Sequence, residues 1–408
     1  MLSVRRTTVS LVALVVCVGA LCVLSGYHRS LARVLQSPGT IQTMISCAYG
    51  ASELRGECYE AQIPKLLGTF SAEHVFEMVR RIQRVDHALS DCHILAHRIG
   101  EWEVATDPDN WIDFIGHQPF DGLCAFGYVH GVIEGKFRLE EDGVYDVDQL
   151  IPRLRLMCER DPATGEVRSL VGRRVCYHGL GHAFYYIEQG DVEKGMALCE
   201  RTVIQKADSA YTQCLNGVAM PRFAIFLPPD LGGVDKASIS KEDATSFCRS
   251  LKTPAHRNAC HRASWTLFWE DIRDTDGIDK LCANQEPDRA RSDCYGKVFV
   301  GVAWKLRYDR EEYIRVCHLV EPDMRAMCFA ADALERISNG GVTPQSVKYA
   351  IQLCRDAGYD APLCTKILAL SSVNYSKTET QDRWNYCSLF NADLEPACLL
   401  SVSAIVEE

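Results

Sequence analysis

The sequence has little of the positive charge that a nucleic-acid-binding surface needs. Lys and Arg number 44 against 54 Asp and Glu, which gives a net charge of −10 at pH 7. Binding to a phosphate backbone depends on a basic face, and the sequence shows none. The charge therefore predicts no nucleic-acid partner.

The common catalytic motifs are also missing. The sequence contains no His-Glu-x-x-His zinc motif, no nucleophile elbow, no phosphate-binding loop and no Cys-x-x-Cys pair. Each of these motifs places reactive groups at a fixed spacing, and together they mark four large classes of enzyme. Any activity therefore has to be argued from other residues.

Signals for β-strands are sparse. The chain shows little sustained alternation of polar and apolar residues, and no Asn-Gly or Asp-Gly turn joins two alternating runs. Such patterns are the main sequence signs of hairpins. With 408 residues, of which 47% are hydrophobic, the chain can bury a large core. We predict an all-α fold.

An apolar segment lies near the N-terminus. It runs from about Val9 to Leu24, follows Arg5 and Arg6, and contains no charged residue. Its length of about 16 to 19 residues is long for a signal peptide and short for a full bilayer span. We interpret residues 1–30 as a signal-anchor or transmembrane segment, with a cleaved signal peptide or a buried core helix as alternatives.

Cysteine is abundant, with 20 residues in the chain. Such usage is typical of proteins that fold outside the reducing cytosol, where disulfides persist. Together with the apolar segment, it predicts a membrane-anchored protein whose body lies in the periplasm or the extracellular space.

The cysteines from Cys47 onward form a repeating pattern. Some stand at the start of an apolar stretch, and we call them opening cysteines; others stand at the end of one, and we call them closing cysteines. Successive opening cysteines lie 32 to 52 residues apart, and four of these gaps are 34 residues. A period near 34 residues is typical of arrays of helix pairs. Asp309 with Glu312 fits a capping box, Pro344 fits a first helical turn, and Asp191 fits an N-cap.

This layout resembles the tetratricopeptide-like α/α repeat superfamily, and in particular its secreted, cysteine-rich branch. The resemblance covers about residues 45–405 and rests on the period, the helix pairing and the cysteine placement, while the tetratricopeptide consensus itself is not reproduced. It implies a disulfide-linked α/α solenoid of about nine helix pairs and no particular activity. We divide the body into N-terminal repeats at 31–220 and C-terminal repeats at 221–408.

The spacing favours disulfides between sequence neighbours, in which the cysteine that closes one apolar stretch pairs with the next opening cysteine. A loop of about 10 to 18 residues closed in this way contributes roughly 3 kcal/mol in the chain-entropy model. Pairing within one hairpin, such as Cys294 with Cys317, and buried free thiols are the alternatives. Eight pairs follow this rule, Cys47–Cys58, Cys158–Cys176, Cys199–Cys214, Cys248–Cys260, Cys282–Cys294, Cys317–Cys328, Cys354–Cys364 and Cys387–Cys398, and the two opening cysteines left over make a ninth pair, Cys92–Cys124.

Histidines lie shortly after the opening cysteines of three successive predicted helices. Two of these helices carry an i,i+4 pair, which places both rings on one face of the helix. Equivalent positions in neighbouring repeats stack, so the rings are expected to converge. The five residues are His93, His97, His130, His178 and His182.

This cluster predicts a site for a transition metal, zinc or iron, because helix-borne imidazoles are common ligands of both. Glu101 and Glu134 lie four residues beyond His97 and His130 and could supply a carboxylate ligand or a catalytic general base. In the alternative interpretation, the histidines only fill a hydrogen-bonded interior.

Two glycines accompany the third group of histidines. Gly179 and Gly181 lie within the predicted helix, where each costs about 1 kcal/mol relative to Ala. Under either interpretation of the histidines, these glycines indicate close approach of a neighbouring helix.

Two functions are consistent with these features. In the first, the concave surface of a helical array binds a protein or peptide partner, and the histidines line a metal or polar site. A purely structural role is not distinguished from it. In the second, the protein is a metal-dependent enzyme, a hydrolase or an oxygenase, that uses the His and Glu cluster. Whether the protein is an enzyme is left open at this point.

Overall fold

The computed structural model describes most of the chain between residues 43 and 399. The predicted membrane segment at residues 1–30 therefore lies outside the described residues. No helix in the described part is long and apolar enough to cross a bilayer. The positions not described are 1–42, 44–45, 48, 120–122, 140–144, 161–164, 166, 169, 205–208, 228–232, 236–237, 275–276, 284, 286–287, 308, 341–343, 373–386, 389, 391–394, 397 and 400–408.

The described residues form helices and no β-strand, apart from an isolated bridge between Arg160 and Val167. The prediction of an all-α fold is confirmed. The α-helices are α1 (Ser52–Gln62), α2 (Ala72–Gln83), α3 (His93–Thr106), α4 (Trp111–Phe114), α5 (Gly127–Leu139), α6 (Val147–Glu159), α7 (Leu170–Ile187), α8 (Val192–Thr202), α9 (Ser209–Ala219), α10 (Lys241–Ser250), α11 (Pro254–Ala263), α12 (Trp269–Ile272), α13 (Gly277–Cys282), α14 (Asp288–Lys305), α15 (Arg310–Leu319), α16 (Pro322–Gly340), α17 (Pro344–Cys354) and α18 (Ala361–Ser372).

The helix starts follow the local sequence signals. The side chain of Asp191 accepts a hydrogen bond from the backbone N–H of Lys194, and that of Asp309 accepts one from Glu312. Each bond satisfies an N–H that has no partner inside the helix. Helix α17 begins at Pro344, as predicted.

All nine predicted disulfides form: eight join a closing cysteine to the next opening cysteine, and Cys92–Cys124 joins two opening cysteines. The alternatives of pairing within a hairpin and of free thiols are wrong for these eighteen residues. Eight of the bonds span 10 to 18 residues, whereas Cys92–Cys124 spans 32.

Seven helices, which we call the inner layer, pack side by side in the order α3, α5, α7, α9, α11, α14 and α16. Helices between them in the chain pack against this layer: α8 contacts α7 and α9, and α10 contacts α11. The last inner helix, α16, contacts the turn Leu123–Phe126, which precedes α5.

Polar contacts close this layer into a ring. Nη1 of Arg336 donates to Oγ of Ser90 over 3.0 Å, and Nε of Arg307 lies 3.3 Å from Oδ2 of Asp91. Ser90 and Asp91 immediately precede α3, so the C-terminal helices meet the start of the array. The predicted curved array did not include this closure.

The apolar core consists of two clusters of buried side chains. One contains residues from Cys47 to Leu267, and the other contains residues from Trp265 to Cys398. The division of the body at residues 220 and 221 stays a prediction.

Candidate metal centre

Helices α3, α5, α7 and α9 approach one another closely because glycines occupy their contact faces. A Cβ atom at Gly131 would lie 2.0 Å from the carbonyl oxygen of His97, and one at Gly181 would lie 2.2 Å from that of Cys214. Only a hydrogen fits at such positions. A Cβ atom at Gly179 would lie 3.0 Å from a side chain of α5. The predicted close approach at Gly179 and Gly181 is confirmed.

The five predicted histidines form one cluster, which we call the histidine cluster. His130 of α5 lies at its centre, with its ring centroid 5.4 Å from that of His93 and 5.3 Å from that of His97. The centroids of His178 and His182 lie 5.0 and 6.0 Å away on the other side. The side-by-side packing of α3, α5 and α7 thus brings rings from three helices together.

Hydrogen bonds on α3 determine which nitrogen of His93 and of His97 carries a proton. Nδ1 of His93 lies 3.1 Å from the carbonyl oxygen of Cys124, and Nδ1 of His97 lies 3.1 Å from Oε2 of Glu134. A carbonyl or an ionised carboxylate only accepts, so both Nδ1 atoms donate. The Nε2 atoms of the two rings lie 3.1 Å apart, and when both rings are neutral each presents a lone pair to the other.

The same arrangement occurs on α7. Nδ1 of His178 lies 3.2 Å from the carbonyl oxygen of Gln213, to which it donates. Nδ1 of His182 lies 3.2 Å from Oε1 of Glu134 but makes no hydrogen bond with it. The Nε2 atoms of His178 and His182 are 3.2 Å apart. This second pair therefore also directs two lone pairs at each other.

Glu134 lies between the two pairs and is 4% exposed. Burial alone would raise the pKa of Glu134, but the imidazoles of His182 and His97 outweigh it, and the pKa falls to about 2. The carboxylate is therefore charged near pH 7, and each of its oxygens faces one histidine.

Burial favours the neutral form of the surrounding imidazoles, because a charge is poorly solvated in the interior. Burial lowers the pKa of His93 to about 3 and that of His182 to about 4. It also lowers the pKa values of His130 and His178 well below the ordinary range. Neutral imidazole is the form that binds a metal ion.

His130 has one ring nitrogen left to bind a metal ion. Its Nε2 lies 3.2 Å from the carbonyl oxygen of Val175 and donates to it, which leaves the lone pair on Nδ1. Among the described residues, one set of potential metal ligands has all its atoms within 4.8 Å of one another, and it consists of His93, His97 and His130.

A strained turn supports the first of these histidines. The backbone φ angles of Cys124, Ala125 and Phe126 are 58°, 49° and 59°, a left-handed region that costs non-glycine residues about 1 to 2 kcal/mol each. The disulfide Cys92–Cys124 joins this turn to the start of α3. It thereby holds the carbonyl group of Cys124 against His93.

Glu101, the other predicted carboxylate, has a different partner. It forms an ion pair with Arg138, and burial raises the pKa of Glu101. The catalytic roles predicted for Glu101 and Glu134 stay predictions, and so does the metal-binding role of the five histidines.

Sequence reasoning missed the polar residues that continue this inner face of the ring. Asn216 and Arg262 lie two residues after an opening cysteine, as His178 does, and Nη2 of Arg262 donates to Oδ1 of Asn216 over 3.1 Å. On α14, burial lowers the pKa of Lys297, whose charge acts on His178. Register relative to the cysteines was the signal that could have found Asn216 and Arg262.

Comparison with protein families, curated proteins and solved structures gave no match to this chain.

Proposed function

We propose that the protein binds a transition metal in the histidine cluster. The observation that carries this proposal is the 3.1 Å separation of Nε2 of His93 and Nε2 of His97, which both carry a lone pair when the rings are neutral. Two nitrogens bound to one ion at about 2.0 to 2.1 Å lie about 3.3 Å apart in a tetrahedral site and about 2.9 Å apart along an octahedral edge. The observed separation falls between these values, and a cation removes the repulsion between the lone pairs.

The donor set favours zinc, iron or copper. Imidazole nitrogens suit these ions, whereas calcium and magnesium prefer oxygen ligands. Glu134 accepts from Nδ1 of His97, and such outer carboxylates orient metal-binding histidines and make them more basic. The glycine contacts and the disulfide Cys92–Cys124 support a site organised before the ion binds.

The contacts of the two carboxylates, Glu134 and Glu101, favour metal binding over hydrolysis. Glu134 faces a histidine with each oxygen, and Glu101 pairs with Arg138. A hydrolase that used either carboxylate as its general base would first have to break these contacts.

The proposal also covers the number of helix pairs, the membrane anchor and the location of the protein. We propose an array of about nine helix pairs, anchored by the segment at residues 1–30, with its body in the periplasm or the extracellular space. The nine disulfides support an oxidising compartment, since such bonds are rare in the cytosol. Binding of a protein or peptide partner stays a prediction of the sequence.

Metal content tests the proposal. Protein exported to an oxidising compartment is purified, loaded with Zn²⁺ and dialysed, and its zinc is measured by elemental analysis. We expect retained zinc in the wild type and at least a tenfold weaker affinity after His97→Ala combined with His182→Ala. His318→Ala removes an exposed histidine outside the cluster and is the control. A wild type that retains no metal, or a double variant that retains it fully, contradicts the proposal.

A further inference from the structure

The ligand atoms of the histidine cluster separate into two groups. His93, His97 and His130 form the set in which all atoms lie within 4.8 Å of one another, and neither His178 nor His182 belongs to it. Two nitrogens on one ion are at most about 4.2 Å apart, twice the usual bond length, so the three rings need to move only slightly to share an ion. His178 and His182 lie outside that set, so one ion does not reach all five histidines in this arrangement.

The histidines left over repeat the design of the first group. On α3 and again on α7, the first histidine of an i,i+4 pair donates from Nδ1 to a backbone carbonyl group of the next inner segment. In both pairs, Nδ1 of the second histidine faces Glu134. The Nε2 atoms of each pair are then directed at each other across 3.1 and 3.2 Å.

The position of Glu134 relates the two groups. Its Oε2 lies 3.1 Å from Nδ1 of His97, and its Oε1 lies 3.2 Å from Nδ1 of His182. A carboxylate that contacts the outer nitrogen of a ligand histidine fixes the ring and its tautomer, and here one carboxylate can do so for both pairs.

We propose that the histidine cluster binds two transition-metal ions side by side. His93, His97 and His130 bind the first ion, and His178 and His182 bind the second. Glu134 contacts neither ion and is the shared positioning residue of both sites. With three and two protein ligands, each ion keeps coordination positions for water or for a small ligand, as ions with incomplete protein coordination do.

This inference rests on the proposed metal-binding function, and stoichiometry separates the two. The disulfide-intact protein is freed of metal with a chelator, loaded with Cu²⁺ and dialysed against a weak competing ligand. We expect two Cu²⁺ per chain in the wild type and in the control His318→Ala. We expect one after His178→Ala combined with His182→Ala. The electron paramagnetic resonance spectrum of the wild type should show magnetic coupling between the two ions, and that of the double variant should not.

The wild type alone decides the inference if the double variant fails to fold. One Cu²⁺ per chain without magnetic coupling overturns the second site and leaves the proposed function standing. No bound Cu²⁺ overturns both. Glu134→Gln, which preserves side-chain volume, gives an independent readout, because loss of an outer-shell partner costs about 10- to 100-fold in affinity. Weaker Cu²⁺ binding at both sites in this variant supports the shared role of Glu134, and unchanged Cu²⁺ binding at both sites contradicts it.

Discussion

His97 and His182, on helices α3 and α7, face opposite oxygens of a single carboxylate, that of Glu134. The two helices do not depend on each other for the i,i+4 geometry of their histidine pairs. Glu134 forms a hydrogen bond with His97 and lies at ion-pair distance from His182, so one buried anion on α5 faces both pairs.

Replacement of Glu134 by Gln should change a histidine tautomer. A carboxylate accepts from both neighbours, whereas an amide has one accepting oxygen and an NH₂ group that only donates. In metal-free Glu134→Gln, either His97 or His182 should therefore move its proton from Nδ1 to Nε2. Long-range ¹H–¹⁵N NMR of the imidazoles distinguishes these tautomers. Glu101→Gln is the control and should leave both rings unchanged, and an unchanged spectrum of Glu134→Gln would refute this account of the carboxylate.

The close contact of α3 and α5 should not tolerate a methyl group at Gly131. Its Cβ would lie 2.0 Å from the backbone of His97, so the helices would have to separate. We expect Gly131→Ala to destabilise the protein by about 1 to 3 kcal/mol and to weaken metal binding. Gly296 in α14 is the matched control, because a Cβ there meets nothing within 4 Å. Gly296→Ala should stabilise by up to about 1 kcal/mol. Urea unfolding measures both effects, and equal effects of the two substitutions would be inconsistent with close packing at Gly131.

Two disulfides should differ in their effect on metal binding. Removal of Cys92–Cys124 by double substitution with Ala opens a loop of 32 residues, at a cost of about 4 kcal/mol in the chain-entropy model. It also releases the carbonyl group that orients His93. Removal of Cys354–Cys364, which spans 10 residues, should cost about 3 kcal/mol.

Only the first of these variants should lose metal affinity, by about tenfold or more, as measured by Zn²⁺ competition at a temperature where both variants are folded. Equal affinities in the two variants would show that the turn at Cys124 does not position His93.

The disulfides and the histidine cluster could be predicted because both depend on position relative to a repeating cysteine. The shorter gap to Cys282 favoured that residue over Cys317 as the partner of Cys294, and the structure joins Cys294 to Cys282. The i,i+4 rule likewise places His178 and His182 on one face of a helix. Both features depend on residues that lie close together in the chain, and the sequence shows such short-range spacing directly.

The closure of the ring and the turn at Cys124 could not be predicted in the same way. Closure depends on the small rotation between successive helix pairs, summed over the array, and on contacts such as that of Arg307 with Asp91. A left-handed turn without glycine runs against the backbone preferences of Cys124 and Ala125. The ion pair of Glu101 with Arg138 was missed because Arg138 lies on a different helix, α5, whose position beside α3 depends on the tertiary structure.

Arg336 should be important for closure of the ring. It donates to Ser90 and to the carbonyl oxygen of Arg307, and it pairs with Asp332. Asp332 keeps its ion pair with Arg310, so we expect Arg336→Met to destabilise by about 1 to 3 kcal/mol through its lost hydrogen bonds and to increase amide hydrogen exchange around Ser90.

Arg315 is the control for this substitution, since its pair with Glu312 is exposed on the arginine side. Arg315→Met should cost less than about 1 kcal/mol and should leave exchange around Ser90 unchanged. If Arg336→Met also leaves that exchange unchanged, the contacts of Arg336 do not hold the ring closed.

X-ray absorption spectroscopy of the zinc-loaded protein tests most directly whether the histidine cluster binds a metal ion through its Nε2 and Nδ1 atoms. The account predicts a first shell of nitrogen at about 2.0 to 2.1 Å with the outer-shell scattering of imidazole, and no sulfur at about 2.3 Å. This signal should be lost in His97→Ala combined with His182→Ala and retained in His318→Ala. A first shell that contains sulfur, or only oxygen without imidazole scattering, would contradict the account.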